Sequence, residues 1–441
     1  MSKTVVDLSS DLIKIPSLTP YGEDIDEKFK ACEECIDSIE AFLKDRGAKT
    51  QKLVFEGSSE KWPYAVPNLY AEVNFGDVSA KDHKFICYMG HIDVVPVVDK
   101  NLWQRKNPFS GRVEGGFVKG RGATDMKSSV AAIMATFEAL KETMPEGANI
   151  TLGAIISGDE EWAAVNGTDK VLGWMQENGK NPEAFLVGEP SSQDYLGTNI
   201  KVGRRGSLTG LIDVRGISGH VANEKGFKNP IKALGSALIL LDQKQWKDGT
   251  NYFPNTNLEV VSVESGKIGQ GTNLIPEQAR ANYNIRFTPK QTPEKLLKDL
   301  KDIILNPPKF LKNLPDYEVL INNIDSIITA NIAGASEGYY AKPDKFAESA
   351  KKAISEVLGV ESSYDGSGGS TDGRFVHKYF PKAQIIELGV PERGGIIGSE
   401  KTKDYEQKGG MHQIDERVAV KDVVNLQKLY QKTIINYAQG R

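Results

Sequence analysis

Apolar residues recur every three to four positions through VVDLSSDLIKIPS and again through ACEECIDSIEAFLKDRG, which predicts two helices near the start of the chain. KFICYMG, NITLGAIISG and AFLVGE are short continuous apolar runs of strand length, with the long helical pattern DMKSSVAAIMATFEALKET between the first two. Alternating helices and continuous apolar strands predict an α/β fold: a mixed, mainly parallel sheet covered by helices. Around residue 203 the texture changes. GSLTGLIDVRG, LEVVSVESGK and QARANYNIRFT alternate in polarity as strands do, and the helical NPIKALGSALILLDQ lies between them, so residues 203–318 read as an inserted α+β two-layer unit. From residue 319 onward AKPDKFAESAKKAISEVLG, KAQIIELGV and VKDVVNLQKLYQKTIINYAQ return to the first texture. The predicted organisation is one α/β domain, 1–202 with 319–441, interrupted by a second.

The length of 441 residues agrees with two or three domains. The 55 Lys+Arg against 59 Asp+Glu give a net charge of −4, which provides no broad basic face for nucleic acid. The opening MSKTVVDLSSDLIKIPS lacks a basic segment followed by an apolar run, and no stretch is apolar for the roughly 18 to 20 residues a membrane span needs. These features predict a soluble, cytoplasmic protein without membrane association. Three cysteines make no disulfide framework; Cys32 and Cys35 fall in mid-helix and Cys87 in an apolar strand, so all three read as core.

The candidate chemistry lies where apolar strands end. KFICYMG runs into His91-Ile92-Asp93, NITLGAIISG into Asp159-Glu160-Glu161, and AFLVG into Glu189. Strand ends of this kind line the ligand crevice of open α/β sheets. GRGATDMKSS adds Asp125 beside glycines, and GGMHQIDE adds His412 near the other end of the chain. The HxD spacing lets Asp93 orient the imidazole of His91. Two imidazoles with several carboxylates form an N/O donor set suited to zinc and, less selectively, to cobalt or manganese. Five donors exceed the three that one catalytic zinc takes from protein, so the count points to two metals sharing a carboxylate, with Asp125 as the candidate bridge. One of Glu160 and Glu161 would face metal and the other the attacking water; the residues alone do not say which. Taken singly, Asp125 could equally be a helix N-cap, and His220 a structural loop histidine.

GHIDVVP, GRGATDMKSS, SGDEEWAAVNGT, LVGEP, GRRGSLTGLIDVRGISGHVA, GTNLIPEQARANYNIRFT, GGSTDGRF and MHQIDE, in that order, resemble the dinuclear-zinc peptidase and deacylase family. That family includes aminoacylase, acetylornithine deacetylase and succinyl-diaminopimelate desuccinylase. The GRRGS, GHVA, GTNLIP and GGxxDGRF segments are most similar to its desuccinylases, and the resemblance spans about residues 85–420. It implies a zinc-dependent hydrolase that cleaves N-succinyl-LL-2,6-diaminopimelate, with another N-acyl amino acid or a dipeptide as the alternative substrate. It further implies two zinc ions per subunit, with cobalt or manganese as substitutes, and an inserted domain that forms a homodimer. Carried over by position, His91 and Glu189 hold one zinc, Glu161 and His412 the other, and Asp125 bridges them. Glu160 becomes the general acid/base and Asp93 the partner of His91. His220 and Asn273 reach the partner subunit's site, where His220 meets the oxyanion. Arg204, Ser207, Arg286 and the Gly369 and Ser370 backbone correspond to contacts with the small-molecule substrate. Two segments depart from the desuccinylase pattern: Asn223 stands in place of a tyrosine, and the polar loop between Gly394 and Gly410, with Lys408 in place of an asparagine, is much longer. That loop reads as a mobile lid beside the acyl pocket.

Overall fold

The computed structural model describes residues 3–57, 63–223, 225–269, 271–306, 327–393 and 409–440. Helix α1 (Val5–Lys14) starts at Thr4, whose side chain accepts from Asp7 N while the Asp7 carboxylate accepts from Thr4 N. This reciprocal cap fixes where the first helix begins. Helix α2 (Ile25–Asp45) turns Cys32, Cys35, Ile36 and Ile39 inward, as the apolar spacing predicts. Strands β1 (Lys49–Phe55), β2 (Val66–Phe75) and β3 (Lys84–His91) follow, then helix α3 (Ser128–Thr143), β4 (Ile150–Ser157), helix α4 (Thr168–Glu177), β5 (Ala184–Val187) and β6 (Asn199–Lys201). Every residue of β4 is buried, which explains its unbroken apolar sequence.

The next elements are β7 (Gly206–Arg215), helix α5 (Pro230–Asp242), β8 (Asn257–Ser265), β9 (Gln278–Phe287), helix α6 (Pro293–Leu305) and β10 (Ile327–Ser336). Helix α7 (Lys345–Leu358), capped by the Asp344 carboxylate and ended by Gly359 at φ +69°, leads to β11 (Ser363–Asp365), β12 (Gln384–Glu387) and helix α8 (Val420–Ala438).

Two compact units result. The first comprises Met1–Gly203, Ala341–Asp365 and Thr371–Arg441; the second comprises Arg204–Tyr340 and Gly366–Ser370. The first is built on an eight-stranded sheet in the order β1-β2-β4-β3-β5-β12-β6-β11. Its centre, β4-β3-β5-β12, is parallel, while β1 and β2 join antiparallel at one edge. Helices α1, α3, α7 and α8 pack on one another around a core that includes Ile133, Leu140, Leu426 and Tyr430. The second unit is a four-stranded antiparallel sheet, β8-β9-β7-β10, with α5 and α6 against it.

The mixed, mainly parallel sheet is the fold the apolar pattern predicts. The expected return of the chain at residue 319 is corrected: β10 pairs antiparallel with β7 inside the second sheet, so that unit runs to Tyr340. In ITANIAGAS small residues replace the large alternating ones that mark a strand, which is why the pattern failed to register. Among the described residues no helix is long and apolar enough to cross a membrane. Of the expected lid between Gly394 and Gly410, residues 394–408, Lys408 among them, lie outside the described residues. All three cysteines are buried thiols.

Candidate metal centre

The parallel strands β3, β4 and β5 end side by side, and the residues just beyond them gather in the first unit. His91 closes β3 and is 1% exposed. Its Nδ1 lies 2.9 Å from the main-chain carbonyl of Asp93, so Nδ1–H donates there and Nε2 is turned toward the carboxylates. Nε2 stands 3.2 Å from Asp125 Oδ1, 3.5 Å from Glu189 Oε1 and 4.0 Å from Glu160 Oε2. The residues before two of these ligands are glycines for a steric reason. A Cβ on Gly90 or Gly188 would come within 2.8 Å or 2.2 Å of the buried Tyr88 hydroxyl, which is wedged between the two strand ends.

A second group forms on the opposite carboxylate oxygen of Asp125. His412 Nε2 lies 3.2 Å from Asp125 Oδ2 and 3.0 Å from Glu161 Oε1. Thus His91, Asp125 and Glu189 form one triad and Asp125, Glu161 and His412 another; within each, the donor atoms all lie within 4.8 Å of one another. Asp125 belongs to both, and Glu160 to neither. Asp125 caps no helix: α3 begins three residues later and its N-cap is Lys127.

The Asp93 carboxylate has partners besides His91. It stands 3.6 Å from His91 Nδ1, while it accepts hydrogen bonds from the main-chain N–H of Glu160 and of Glu161, both at 3.1 Å, and from Thr19 Oγ1 at 2.9 Å. The carbonyl of Asp93 orients the imidazole and its carboxylate fixes the loop that carries the two glutamates.

Sequence reasoning missed the pair that holds Asp125 and His412 in register. Glu416, fully buried, accepts from Thr124 N at 2.9 Å and Asp125 N at 3.2 Å through Oε1, and from Arg121 Nη1 at 2.6 Å through Oε2. Arg121 also donates to the carbonyls of His412 and Gln413, each at 3.3 Å. Arg121 between glycines in GRGATD, and Glu416 four residues after His412, were the available signals.

The electrostatics follow from burial. Desolvation raises Glu160 well above the usual carboxylate range, with Glu189 adding to it, and raises Glu161 to about 7, with Asp125 adding to it. Although burial opposes the change, hydrogen bonds from His412 and His91 hold Asp125 below its ordinary value. His412 is raised to about 10 by its hydrogen bonds to Asp125 and Glu161. Four carboxylates with two imidazoles, buried at His91, Asp125 and Glu189 and open to solvent at His412, form a set that divalent cations would neutralise, and the mutual spacing in each triad fits donors converging on a common ion.

The residues expected at the substrate lie in the second unit. Ser207 of β7 pairs across to Arg286 of β9 on one side and to Ser336 of β10 on the other, and Ser336 Oγ lies 2.6 Å from Ser370 Oγ. Arg286, Ser207 and Ser370 are therefore brought into one row, with Ser336 as a member the sequence did not suggest. Arg204, 4% exposed, sits just before β7, and Gly369 adjoins Ser370. His220 is exposed, with its Nε2 2.9 Å from Asn273 Nδ2, and Asn223 N donates to the His220 carbonyl.

Residues 87–436 match the model of the peptidase family M20/M25/M40. The chain is 33% identical to a Methylocella silvestris protein named succinyl-diaminopimelate desuccinylase, over 99% of each chain. Among solved structures it is similar to an M20-family metallo-carboxypeptidase from Sulfolobus solfataricus (TM-score 0.69, 18% identity, 99% of this chain and 100% of that one). It is also similar to a dinuclear metal-binding M20 peptidase from Bacillus subtilis (TM-score 0.60, 14% identity, 99% and 98%).

Proposed function

The chain belongs to the peptidase family M20/M25/M40, and from that premise we propose that it is a two-zinc amide hydrolase cleaving N-succinyl-LL-2,6-diaminopimelate to succinate and LL-2,6-diaminopimelate. The observation that carries the hydrolase reading is the pair of donor triads sharing Asp125, with the partly buried Glu160 outside both. The desuccinylase name of relatives matching the chain over nearly all its length supports the acyl group. In this reading His91 and Glu189 hold one metal, Glu161 and His412 the other, and Asp125 both. Cobalt or manganese would fit the same N/O donors. Bound there, two divalent cations would polarise the scissile carbonyl and lower the pKa of water toward neutrality.

Glu160 is the residue left to move protons. Its carboxylate takes the proton of the attacking water and returns it to the departing amine, a role that suits an acid whose pKa is raised by burial. Asp93 keeps Glu160 and Glu161 in place through their main-chain N–H groups. Arg204 and Arg286 offer guanidinium groups for the substrate's carboxylates, with Ser207, Gly369 and Ser370 around them. The active form is a homodimer in which the partner subunit's His220 donates to the developing oxyanion and its Asn273 steadies that imidazole. A cytoplasmic location fits a biosynthetic hydrolase of this kind.

The test is hydrolysis of N-succinyl-diaminopimelate, N-acetylornithine and a dipeptide by the zinc-loaded protein, with metal analysis alongside. Two metals per chain and the highest kcat/KM on the succinyl substrate are expected. Glu160→Gln should keep both metals yet lose roughly a thousandfold in kcat. Turnover of the other substrates but not the first would overturn the acyl assignment, and near wild-type turnover by Glu160→Gln would overturn the proton assignment.

A further inference from the structure

The loops fastened to Asp93 carry an aromatic pair outside the donor set. Thr19 Oγ1 on one loop, and the main-chain N–H groups of Glu160 and Glu161 on another, all donate to the same buried Asp93 carboxylate. Tyr21 lies two residues beyond Thr19 and Trp162 one beyond Glu161. Their rings stack nearly parallel, with centroids 4.0 Å apart and planes 5° from each other. Lys28 Nζ donates to the Tyr21 carbonyl at 2.8 Å and lies 5.6 Å from the centre of its ring. The Tyr21 hydroxyl is raised by burial and by the Glu161 carboxylate, which agrees with a stack standing beside that glutamate. Even so, Trp162 remains 51% exposed. A single exposed apolar side chain ordinarily needs no explanation. This one is immobilised by stacking, by sequence adjacency to Glu161 and by the carboxylate that orients both glutamates.

We infer that Trp162, backed by Tyr21, is a substrate-positioning wall at the rim of the metal centre, whose open indole face takes an aliphatic arm of the linear amide substrate. The arm meant is the run of methylenes between the scissile amide and a terminal charged group. An indole face also attracts ammonium groups, but Lys28 already places a cation at this stack, which disfavours a second. The inference rests on the hydrolase reading above, because that reading supplies a linear substrate.

The experiment compares wild type, Trp162→Ala and Trp162→Phe as full-length, metal-loaded proteins. Trp162→Ala should raise KM about tenfold, the worth of one to two buried methylenes, and leave kcat within about twofold. Two metals should remain bound. Trp162→Phe, which still stacks on Tyr21, should return KM to within about threefold of wild type. Titrating succinate or diaminopimelate should quench tryptophan emission in wild type, and that change should vanish in Trp162→Phe. An unchanged KM in Trp162→Ala, quenching that persists in Trp162→Phe, or loss of metal together with kcat would each overturn the wall. A KM defect that disappears when the substrate's ammonium is removed would assign the indole to a cation and overturn the aliphatic arm. A wild-type protein that hydrolyses no N-acyl amino acid or dipeptide sinks the hydrolase reading and this inference with it. Active wild type beside an unaltered Trp162→Ala KM removes the wall alone.

Discussion

His412 occupies a position that protons and cations contest. Its Nε2 faces Asp125 and Glu161 at 3.2 and 3.0 Å, and those hydrogen bonds raise the imidazole to about 10 in the metal-free site. Burial, with Asp125 nearby, raises Glu161 to about 7. Both folded values lie above the unfolded ones of 6.5 and 4.5. The stability these groups confer is therefore complete below the unfolded values and lost as pH rises, through 7 for Glu161 and through 10 for His412. A metal ligand must be deprotonated, so cation binding gains as that proton is lost. The metal-free protein should thus lose Tm between pH 6.5 and pH 9 while the metal-loaded protein changes less, and the increment in Tm on adding metal should grow over the same interval. Thermal denaturation of chelator-treated and reloaded protein at three pH values measures this. An increment that shrinks with pH would mean that His412 is no ligand.

At the scale of elements, the ligands depend on how two distant loops are held. Arg121 and Glu416 form a buried ion pair 295 residues apart in sequence, and between them they bond the main chain at Thr124, Asp125, His412 and Gln413. Removing one member leaves a buried charge unpaired, which costs about 3–5 kcal/mol. Arg121→Ala should therefore destabilise the protein by about that amount and lower metal content below two per chain; urea unfolding and metal analysis give both quantities. Full metal content with a stability loss under about 1 kcal/mol would show that the pair is not the brace. This element also marks where sequence reading ends. His91, Glu160, Glu161 and Glu189 were legible because each follows an apolar run that can only be a buried parallel strand. Arg121 and Glu416 carry no such flag, since a charge is ordinarily solvated and only the fold reveals its partner. The edge strand KTQKLVF, half lysine and polar, and the small-residue strand ITANIAGAS escaped for the related reason that neither shows a clean apolar alternation.

At the scale of the whole molecule, the homodimer proposal turns on the open edge of the second sheet. Among the described residues strand β8 pairs only with β9, and it exposes Val261 at 62% and Val263 at 59%. A long edge with apolar side chains invites pairing with another strand, and soluble proteins usually blunt it with charge. Covering by a second copy satisfies the edge, and closed symmetry lets the same strand serve both subunits. Because His220 and Asn273 lie in this unit, pairing along β8 would also present them to a partner. Replacing Val261 and Val263 together by lysine should leave the first unit's donor set untouched, shift sedimentation from twice the monomer mass to the monomer, and retain two metals per chain. If the partner subunit's His220 is needed, kcat should fall at least about a hundredfold in the same variant, the usual cost of losing an oxyanion donor. Mixing His220→Ala protein with protein lacking Glu160 then decides the matter: each homodimer is inactive, but a heterodimer would pair one intact metal site with one intact His220 and regain activity. A monomeric double-lysine variant with full turnover would leave His220 without a role in trans.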